Sequence, residues 1–190
     1  MIVQLPPDFI ERLVPELTKA GHREIGGVLV GEHLAEATFR VVDFSVQRSG
    51  GSVNCFVRQP AKHRRFLAGF FARTGRNFER YNYLGEWHSH PCFEAAPSSV
   101  DLAQMQAIVE DGATAPHFAL LLIARMGATN RLELNALAFT PFTRPTPADV
   151  QVVDRPLDDP AAPRHRATAA TVAEIFMGWF RRVRAPRRMA

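Results

Sequence analysis

The stretch from Leu84 to Asp101, LGEWHSHPCFEAAPSSVD, constrains the fold more than any other part of the chain. It follows and continues an apolar, aromatic run that predicts a buried strand. His88 and His90 stand two residues apart, and side chains at i and i+2 of a strand point to the same face. Pro91 ends this strand because proline cannot donate to the ladder. We therefore expect two imidazoles that converge on one point at the end of a strand.

A helix is predicted directly after the loop that follows this strand. Ser98 and Asp101 precede an apolar pattern over residues 102–109, so Asp101 falls in the first helical turn and faces the loop. Two histidines and one carboxylate are a zinc ligand set that leaves a fourth position open, as catalytic sites do. Taken alone, each histidine is typical of a packed or solvated side chain, and Ser98 with Asp101 is typical of a capping box. Both interpretations of Ser98 and Asp101 stay open at this point.

Two separate blocks of the sequence together resemble the signature of the JAMM (JAB/MPN+) zinc metallopeptidases. The pattern H-x-H, seven residues, S, two residues, D runs from His88 to Asp101 and matches in residue type, order and spacing. The family also has an upstream glutamate in a pattern like E-x-x-G-x-L-x-G, and the stretch from Glu24 to Gly31 is similar to it. Taken alone, Glu24 is more typical of a partly exposed carboxylate at a strand start. The resemblance covers about residues 1–140 and is greatest to small bacterial, deubiquitinase-like JAB-domain proteins.

The resemblance implies a catalytic zinc site. The cofactor would be Zn²⁺, held by His88, His90 and Asp101. A water bound to it at about 2 Å would have its pKa lowered toward about 7. Glu24 is implied as the general base that takes the proton of this water and hands it to the leaving amine. Ser98 is implied as the hydrogen-bond donor to the developing oxyanion, an effect worth about 3 kcal/mol in comparable sites.

The resemblance also implies a fold and a substrate. The fold would be α+β with three α/β/α-like layers, in which helices flank a curved, mixed but largely antiparallel sheet, as in the MPN/JAB (cytidine-deaminase-like) fold. The substrate would be a ubiquitin-like protein or its conjugate, cleaved after the C-terminal tail. Bacterial relatives are often encoded beside E1-like and E2-like enzymes, including in antiphage-defence systems, and family members often form homodimers. We therefore expect an isopeptidase that reverses a bacterial ubiquitin-like conjugation, with E1-like and E2-like enzymes as candidate partners.

Three other functions stay open. One is a JAMM-type protease that acts on a sulfur-carrier protein. A second is a non-catalytic MPN scaffold, although scaffold members typically lack some of the five site residues that are intact here. The third is a binding module whose working part is the basic C-terminal helix described below.

The composition favours one cytoplasmic domain with a tail. The chain has 190 residues and a formal net charge of +4, which suits a single domain of ordinary size. Its first residues lack the basic region and long apolar core of a signal peptide, and its longest apolar run, residues 118–124, is too short to cross a bilayer. Two cysteines do not make a disulfide framework. Nothing in the core suggests nucleic-acid recognition, so no nucleic-acid partner is expected.

Hydrophobic patterns predict the other elements of the domain. The first helix is expected to begin at a capping box of Asp8 and Glu11 and to end at Gly21. A basic cluster of His63, Arg64 and Arg65 is expected to be a solvated face of the second helix. Strands are predicted over residues 2–5, 26–31, 38–46, 53–57, 119–124 and 132–139, and the second helix over 60–74.

The last fifty residues are expected to differ from this domain. We predict a JAB/MPN domain over residues 1–140, a Pro-rich extension over 141–167 with a stray edge strand at 150–153, and a basic amphipathic helix and tail over 168–190. That helix is expected to pack on the domain or to dock a partner; its basic, aromatic face could also lie on an anionic membrane, which is the less favoured alternative.

Cys92 lies two residues past His90. Its simplest interpretation is an inert small side chain. It could instead approach the zinc as a thiolate and give a redox-controlled latent form. We name it as a candidate regulatory residue.

Overall fold

The computed structural model describes residues 1–51, 56–112 and 115–154 of the chain. Within them it has three α-helices and eight strands. The helices are α1 (Pro7–Ala20), α2 (Pro60–Arg73) and α3 (Ser99–Glu110). The strands are β1 (Ile2–Leu5), β2 (Gly26–Ala35), β3 (Thr38–Phe44), β4 (Tyr81–Ser89), β5 (Ala119–Met126), β6 (Leu132–Phe139), β7 (Thr146–Pro147) and β8 (Asp149–Val152).

All eight strands belong to one mixed sheet in the order β7-β6-β5-β4-β2-β3-β1-β8. The pairs β7–β6, β6–β5, β4–β2 and β2–β3 are antiparallel. The pairs β5–β4, β3–β1 and β1–β8 are parallel. The predicted α+β class with a largely antiparallel sheet is therefore confirmed.

The sheet curves until its two edges meet. β7 lies on the β6 edge and β8 on the β1 edge, although a single residue, Ala148, separates them in the chain. The amide of Ala148 donates to the carbonyl of Ala136 at 2.9 Å, and the amide of Asp149 donates to the carbonyl of Met1 at 2.9 Å. This short segment thereby pairs both edges and leaves the sheet nearly closed, which satisfies backbone groups that an open edge would expose.

Alternating side chains divide the core between the two faces of the sheet. In β5, Leu120 and Leu122 join the cluster that contains Phe9, Leu13 and Leu17 of α1. Their neighbours Leu121 and Ile123 join the cluster packed against α2 and α3. This period of two follows from the pleat of a strand, and it explains why a continuous apolar run builds a strand with helices on both sides.

A bulge in β4 determines which face its last residues take. The ladder with β2 shifts register between Leu29 and Val30, opposite Gly85 and Tyr83, so that Leu84 is the extra residue. Gly85 has φ +153°, and a Cβ there would lie 1.9 Å from the carbonyl oxygen of Leu120. Because of this extra residue, Leu84 and Trp87 both join the α1 side of the core, three positions apart. His88 and His90 consequently lie on the other face, two residues apart.

Most of the predicted elements are confirmed, with corrected ends. β2 runs to Ala35 rather than to residue 31, β3 ends at Phe44 rather than 46, and β5 ends at Met126 rather than 124. The predicted capping box of Asp8 and Glu11 is wrong, because α1 begins at Pro7 and its N-cap, Pro6, makes no side-chain cap hydrogen bond. Proline supplies the helical φ at this position without any capping side chain.

The predictions for the second helix and the preceding strand have mixed outcomes. α2 is confirmed, but His63 is not on its solvated face: only 1% of this side chain is exposed. Arg64 and Arg65 are exposed as predicted. Residues 53–55 of the predicted strand over 53–57 lie outside the described part of the chain, and Phe56 forms an isolated bridge to Gly51.

The C-terminal predictions are tested only as far as residue 154. The edge strand expected at 150–153 is present as β8, and β7 precedes it. The boundary at residue 140 stays a prediction, although both strands beyond it pair with the domain's sheet. The predicted amphipathic helix and tail lie outside the described residues. None of the three described helices is long and apolar enough to span a membrane.

Candidate metal centre and active-site cleft

The end of β4 brings two imidazoles together with a carboxylate from α3. The Nε2 atoms of His88 and His90 lie 3.1 Å apart. The Asp101 carboxylate lies 3.4 Å from the first of these nitrogens and 3.7 Å from the second. This is the one group of three or more potential metal-ligating side chains found in the described residues.

The donor set fits a zinc ion. Ligand atoms that bind zinc tetrahedrally at about 2.0–2.1 Å lie about 3.3 Å from one another, close to the three separations between these donors. Both imidazoles are buried, with 6% of His88 and 7% of His90 exposed. Two neutral nitrogens and one carboxylate leave a fourth tetrahedral position free for water or a substrate oxygen.

Hydrogen bonds from the surrounding backbone and from Ser98 orient the donors. Nδ1 of His90 lies 3.2 Å from the carbonyl oxygen of Glu94. That oxygen can only accept, so Nδ1 carries the proton and Nε2 keeps its lone pair for a metal. Oδ2 of Asp101 accepts from both the amide (2.7 Å) and the hydroxyl (2.6 Å) of Ser98. The other carboxylate oxygen, Oδ1, faces His88.

Ser98 and Asp101 also form the predicted capping box of α3. The amide of Asp101 donates to Oγ of Ser98 at 3.2 Å, while the Asp101 carboxylate accepts from the Ser98 amide. The two sequence interpretations of this pair are therefore compatible, because the cap holds the carboxylate in the position where it faces the histidines.

The charges at this site favour an ionised carboxylate and a neutral imidazole. Burial raises the pKa of Asp101, but the hydrogen bond and charge of His88 and the hydrogen bonds from Ser98 lower it well below the usual range. Burial, followed by the charge of His88, lowers the pKa of His90. Metal ligands must be in these protonation states to bind a cation.

Glu24 reaches the same cleft from the residues just before β2. The amide of Ile25 donates to Oγ of Ser89 at 3.0 Å, and the amide of Ser89 donates to the carbonyl of Ile25 at 2.8 Å. Gly26 then pairs with His88. A Cβ on Gly26 would lie 2.4 Å from the carbonyl oxygen of Trp87 and 2.8 Å from Cβ of His88. Glycine therefore allows the backbone beside Glu24 to approach the histidine strand.

The Glu24 carboxylate is buried in surroundings that disfavour its charge. Only 4% of the residue is exposed. Burial raises its pKa to about 7, a rise that the charge of His88 opposes and the charge of Asp101 supports. A carboxylate with a pKa near neutrality can both accept and release a proton at physiological pH, which is what a general base needs.

A cleft of about 400 Å³ connects these groups. Glu24, His90, Ser98 and Asp101 line it. Its remaining lining is mostly apolar and includes Phe56, Phe93, Ala96 and Val100, together with Glu94. The described part of this lining contains no lysine or arginine, so the cleft combines carboxylates with apolar walls.

Cys92 lies on the surface rather than in this cleft. Its Sγ atom is 3.7 Å from Nδ1 of His22, in the turn after α1, and the cysteine is exposed. The proposed regulatory role stays a prediction; the described contact of the thiol is with His22 and not with the three donor side chains.

Sequence analysis missed three residues that contact the site. The ring of Phe56 stacks on His88 with centroids 6.1 Å apart, and Glu94 contributes only a backbone oxygen, for which sequence carries no signal. Glu86 is buried on the face that carries His88 and pairs with Arg58. Its position two residues before His88 is a signal of a shared face that could have been used.

Comparisons with known proteins found a family model and relatives that match parts of this chain. A family model described as prokaryotic homologs of the JAB domain matches residues 6–137. A protein of Enterobacter hormaechei, named CD-NTase/cGAS isopeptidase, is 32% identical over 107 residues, which are 52% of this chain and 53% of that protein. The 26S proteasome non-ATPase regulatory subunit 14 of Dictyostelium discoideum is 35% identical over 85 residues, 44% of this chain and 26% of that protein. The matched segments thus span about half the length of the first relative and about a quarter of the second.

Two solved structures share the fold at low sequence identity. A solution structure of a Desulfitobacterium hafniense protein has a TM-score of 0.57 at 14% identity and covers 82% of this chain and 95% of that one. A solution structure of a Salinibacter ruber protein has a TM-score of 0.50 at 18% identity and covers 87% and 99%. At these identities the likeness concerns the fold alone.

Proposed function

Since this chain belongs to the family of prokaryotic homologs of the JAB domain, we propose that it is a zinc-dependent isopeptidase or peptidase. The bond it hydrolyses follows the C-terminal tail of a ubiquitin-like protein. The observation that supports this most is the convergence of His88, His90 and Asp101 at the end of β4. Glu24, a buried carboxylate, lines the same cleft.

His88, His90 and Asp101 are the residues that would hold the metal. A zinc ion bound there would supply Lewis-acid chemistry, which lowers the pKa of a water and polarises a carbonyl group. The chain contributes the orientation of the ligands: Glu94 fixes the tautomer of His90, and Ser98 holds one oxygen of Asp101. Such supporting hydrogen bonds typically change metal affinity or activity 10- to 100-fold when they are removed.

Glu24 transfers a proton from the attacking water to the leaving amine. Its carboxylate takes a proton from the attacking water as the bond between the water oxygen and the carbonyl carbon forms. It then delivers that proton to the amine nitrogen as the carbon–nitrogen bond breaks. The pKa of about 7 given to Glu24 by burial suits both transfers.

Ser98 donates to the oxyanion during the reaction. In the resting geometry its hydroxyl hydrogen is directed to Asp101 at 2.6 Å. The backbone amide of Ser98 donates to the same carboxylate oxygen, so that oxygen keeps a donor when the hydroxyl turns toward the substrate. Loss of one such oxyanion donor costs about 3 kcal/mol of transition-state stabilisation in comparable enzymes.

The relative named CD-NTase/cGAS isopeptidase supports a deconjugating activity. We propose that this chain reverses a bacterial ubiquitin-like conjugation in an antiphage-defence or mobile-element context and acts in the cytoplasm. E1-like and E2-like enzymes are then its functional partners, and a homodimer is a candidate assembly. Because the matched segments cover only part of each relative, the target protein is part of the proposal.

Metal content tests the site directly. The native chain and a His88→Ala/His90→Ala variant are purified without added metal, and zinc is measured by mass spectrometry. We expect about one zinc per chain in the native protein and none in the variant. A His22→Ala/His33→Ala variant is the matched control, since both of these histidines are exposed and lie outside the cleft.

Hydrolysis is then measured on isopeptide conjugates of ubiquitin-like proteins encoded near the gene. Turnover by the zinc-loaded native chain, lost in the double variant, supports the isopeptidase. Well-folded native protein that neither contains nor takes up zinc would instead favour the non-catalytic scaffold.

A further inference from the structure

Residues 56–59, which we call the cleft wall, are held against β4 by groups that the proposed reaction does not use. Phe56 is the part of this wall that lines the cleft. Its ring lies nearly parallel to the imidazole of His88, with 19° between the planes and 6.1 Å between centroids. Only 8% of Phe56 is exposed. The position of the wall therefore determines the shape of the cleft beside the candidate metal ligands.

Gln47 attaches the wall through every polar atom of its side chain. Nε2 donates to the carbonyls of Ser49 and Val57, both at 2.9 Å. Oε1 accepts from the amide of Gln59 at 2.8 Å and faces Nε2 of His63 at 3.3 Å. A side-chain amide has two donors and two acceptor lone pairs, so the capacity of Gln47 is filled. With 2% of the residue exposed, water cannot replace these partners.

The backbone of Gln47 connects the wall to the residues beside Glu24. Its amide donates to the carbonyl of Gly26 at 2.6 Å, and the amide of Gly26 donates to the carbonyl of Gln47 at 3.3 Å. Gly26 follows Glu24 by two residues and pairs with His88. One buried residue thus joins the cleft wall to both strands that carry the proposed chemistry.

His63 fixes the orientation of the Gln47 amide. The amide of Val28 donates to Oγ of Ser45 at 3.0 Å, so the hydroxyl hydrogen of Ser45 is free to go to Nδ1 of His63 at 2.7 Å. Nδ1 is then the acceptor, and Nε2 carries the proton that it donates to Oε1 of Gln47. Burial, followed by the charges of Arg58 and Lys62, lowers the pKa of His63 to about 4, which agrees with this neutral tautomer.

A buried ion pair forms the second attachment. Arg58, in the middle of the wall, contacts the Glu86 carboxylate, and only 7% and 11% of the two side chains are exposed. The hydroxyl of Tyr83 also approaches Glu86, at 3.5 Å. Glu86 lies two residues before His88 in β4, so this pair joins the wall directly to the histidine strand.

We propose that Gln47 and Glu86 are positioning residues that hold the cleft wall at the distance from His88 and Glu24 that the substrate tail requires. The proposal rests on the proposed hydrolase function but concerns residues outside the metal and proton-transfer groups. If the wall only excluded water, its exact position would not affect substrate binding. If it contacts the tail, a small displacement removes contacts made equally in the ground and transition states, which raises KM.

The test uses the zinc-loaded full chain and two variants that keep side-chain shape. Gln47→Met removes four hydrogen bonds, and Glu86→Gln removes the charge that pairs with Arg58. On a synthetic probe, a peptide joined by its C-terminal carboxyl to a lysine ε-amine, we expect kcat/KM to fall about 10- to 100-fold. The loss should lie mainly in KM, with one zinc per chain retained. Amide hydrogen exchange should accelerate in peptides that cover residues 56–59.

Glu32→Gln is the matched control, because Glu32 is a buried, ion-paired carboxylate in β2 at the end remote from His88. It should lose stability but keep native KM and native exchange in the wall. Native exchange at 56–59 in both test variants would overturn the proposal, as would equal kinetic changes in the control. If the native chain does not cleave the probe, the hydrolase proposal loses its support, while the exchange data still decide whether the wall is held as proposed.

Discussion

The ladder between β2 and β4 has a buried glutamate near each end, and the two have opposite surroundings. At the far end, 7% of Glu32 is exposed. Its carboxylate lies 2.6 Å from Nη2 of Arg80 and 3.8 Å from Nη1 of Arg40. At the site end, 4% of Glu24 is exposed. Its cleft has no arginine or lysine in its described lining, and burial raises its pKa to about 7.

This difference distinguishes Glu32, a carboxylate that stabilises the fold, from Glu24, a carboxylate that we propose takes part in the reaction. A buried carboxylate between two guanidinium groups has charged hydrogen-bond partners and holds neighbouring segments together. A buried carboxylate without such partners lowers the free energy of unfolding when it ionises, and so it is retained only where another requirement outweighs that cost. The requirement that we propose for Glu24 is proton transfer in hydrolysis, and the two environments lie at opposite ends of one stretch of chain that includes β2.

The largest expected effect is on catalysis. Glu24→Gln should lower kcat about 10²- to 10⁴-fold, because the amide cannot accept and return a proton. Zinc content should stay at one per chain, since Glu24 is not among the three donors. The measurement is steady-state hydrolysis of the conjugate at pH 7 alongside metal analysis of the same sample.

Glu32→Gln is the partner measurement for this comparison. It should leave kcat and KM unchanged, because Glu32 pairs with Tyr81 at the opposite end of the ladder from His88. Native turnover by Glu24→Gln would remove the base assignment. A loss of turnover in both variants would mean that the two carboxylates do not differ in the way proposed.

The next effect is on stability, where we expect Glu32→Gln to have a larger effect than Glu24→Gln. Glu32→Gln should reduce the free energy of unfolding by about 3 kcal/mol, because it leaves the largely buried Arg40 without its carboxylate. Arg80→Ala should cost at most about 1 kcal/mol, since 59% of the Arg80 side chain is exposed. Urea denaturation of zinc-free proteins measures both. Equal losses in the two variants would contradict the view that Arg40 supplies most of the pairing.

Local patterns were sufficient to predict that His88, His90 and Asp101 lie close together, because the spacings that place them are short-range. The i, i+2 spacing of His88 and His90 predicts one face of a strand, and the i, i+3 spacing of Ser98 and Asp101 predicts a helix start. Both are present. The resemblance to a known motif was needed to add Glu24, which approaches the histidines only through the pairing of β2 with β4.

The contacts that local patterns could not predict are long-range. The pair of Arg58 with Glu86 joins segments 28 positions apart in the numbering. The β4 bulge has one local signal, Gly85 inside a strand pattern, which was not used. An edge strand was expected at 150–153, but not that β7 and β8 would together pair both edges of the sheet. For His63 a signal existed and was missed: it precedes Leu67 by four positions and shares its helical face.

The smallest expected effect is the contribution of Glu24 to the pH dependence of stability. Its pKa is raised from about 4.5 to about 7 in the folded protein, so between these values the folded state binds a proton that the unfolded state lacks. The free energy of unfolding of zinc-free protein should therefore fall as pH rises through this window. His63, whose pKa is lowered to about 4, acts in the other direction between pH 6.5 and 4. Subtracting the stability curve of the Glu24→Gln variant from that of the native chain cancels the contribution of His63. We expect the remaining difference in the free energy of unfolding to change by about 2 kcal/mol from pH 5 to 8. Parallel curves for the native chain and the variant would show that burial does not raise the pKa of Glu24, and would end the distinction between the two ends of the ladder.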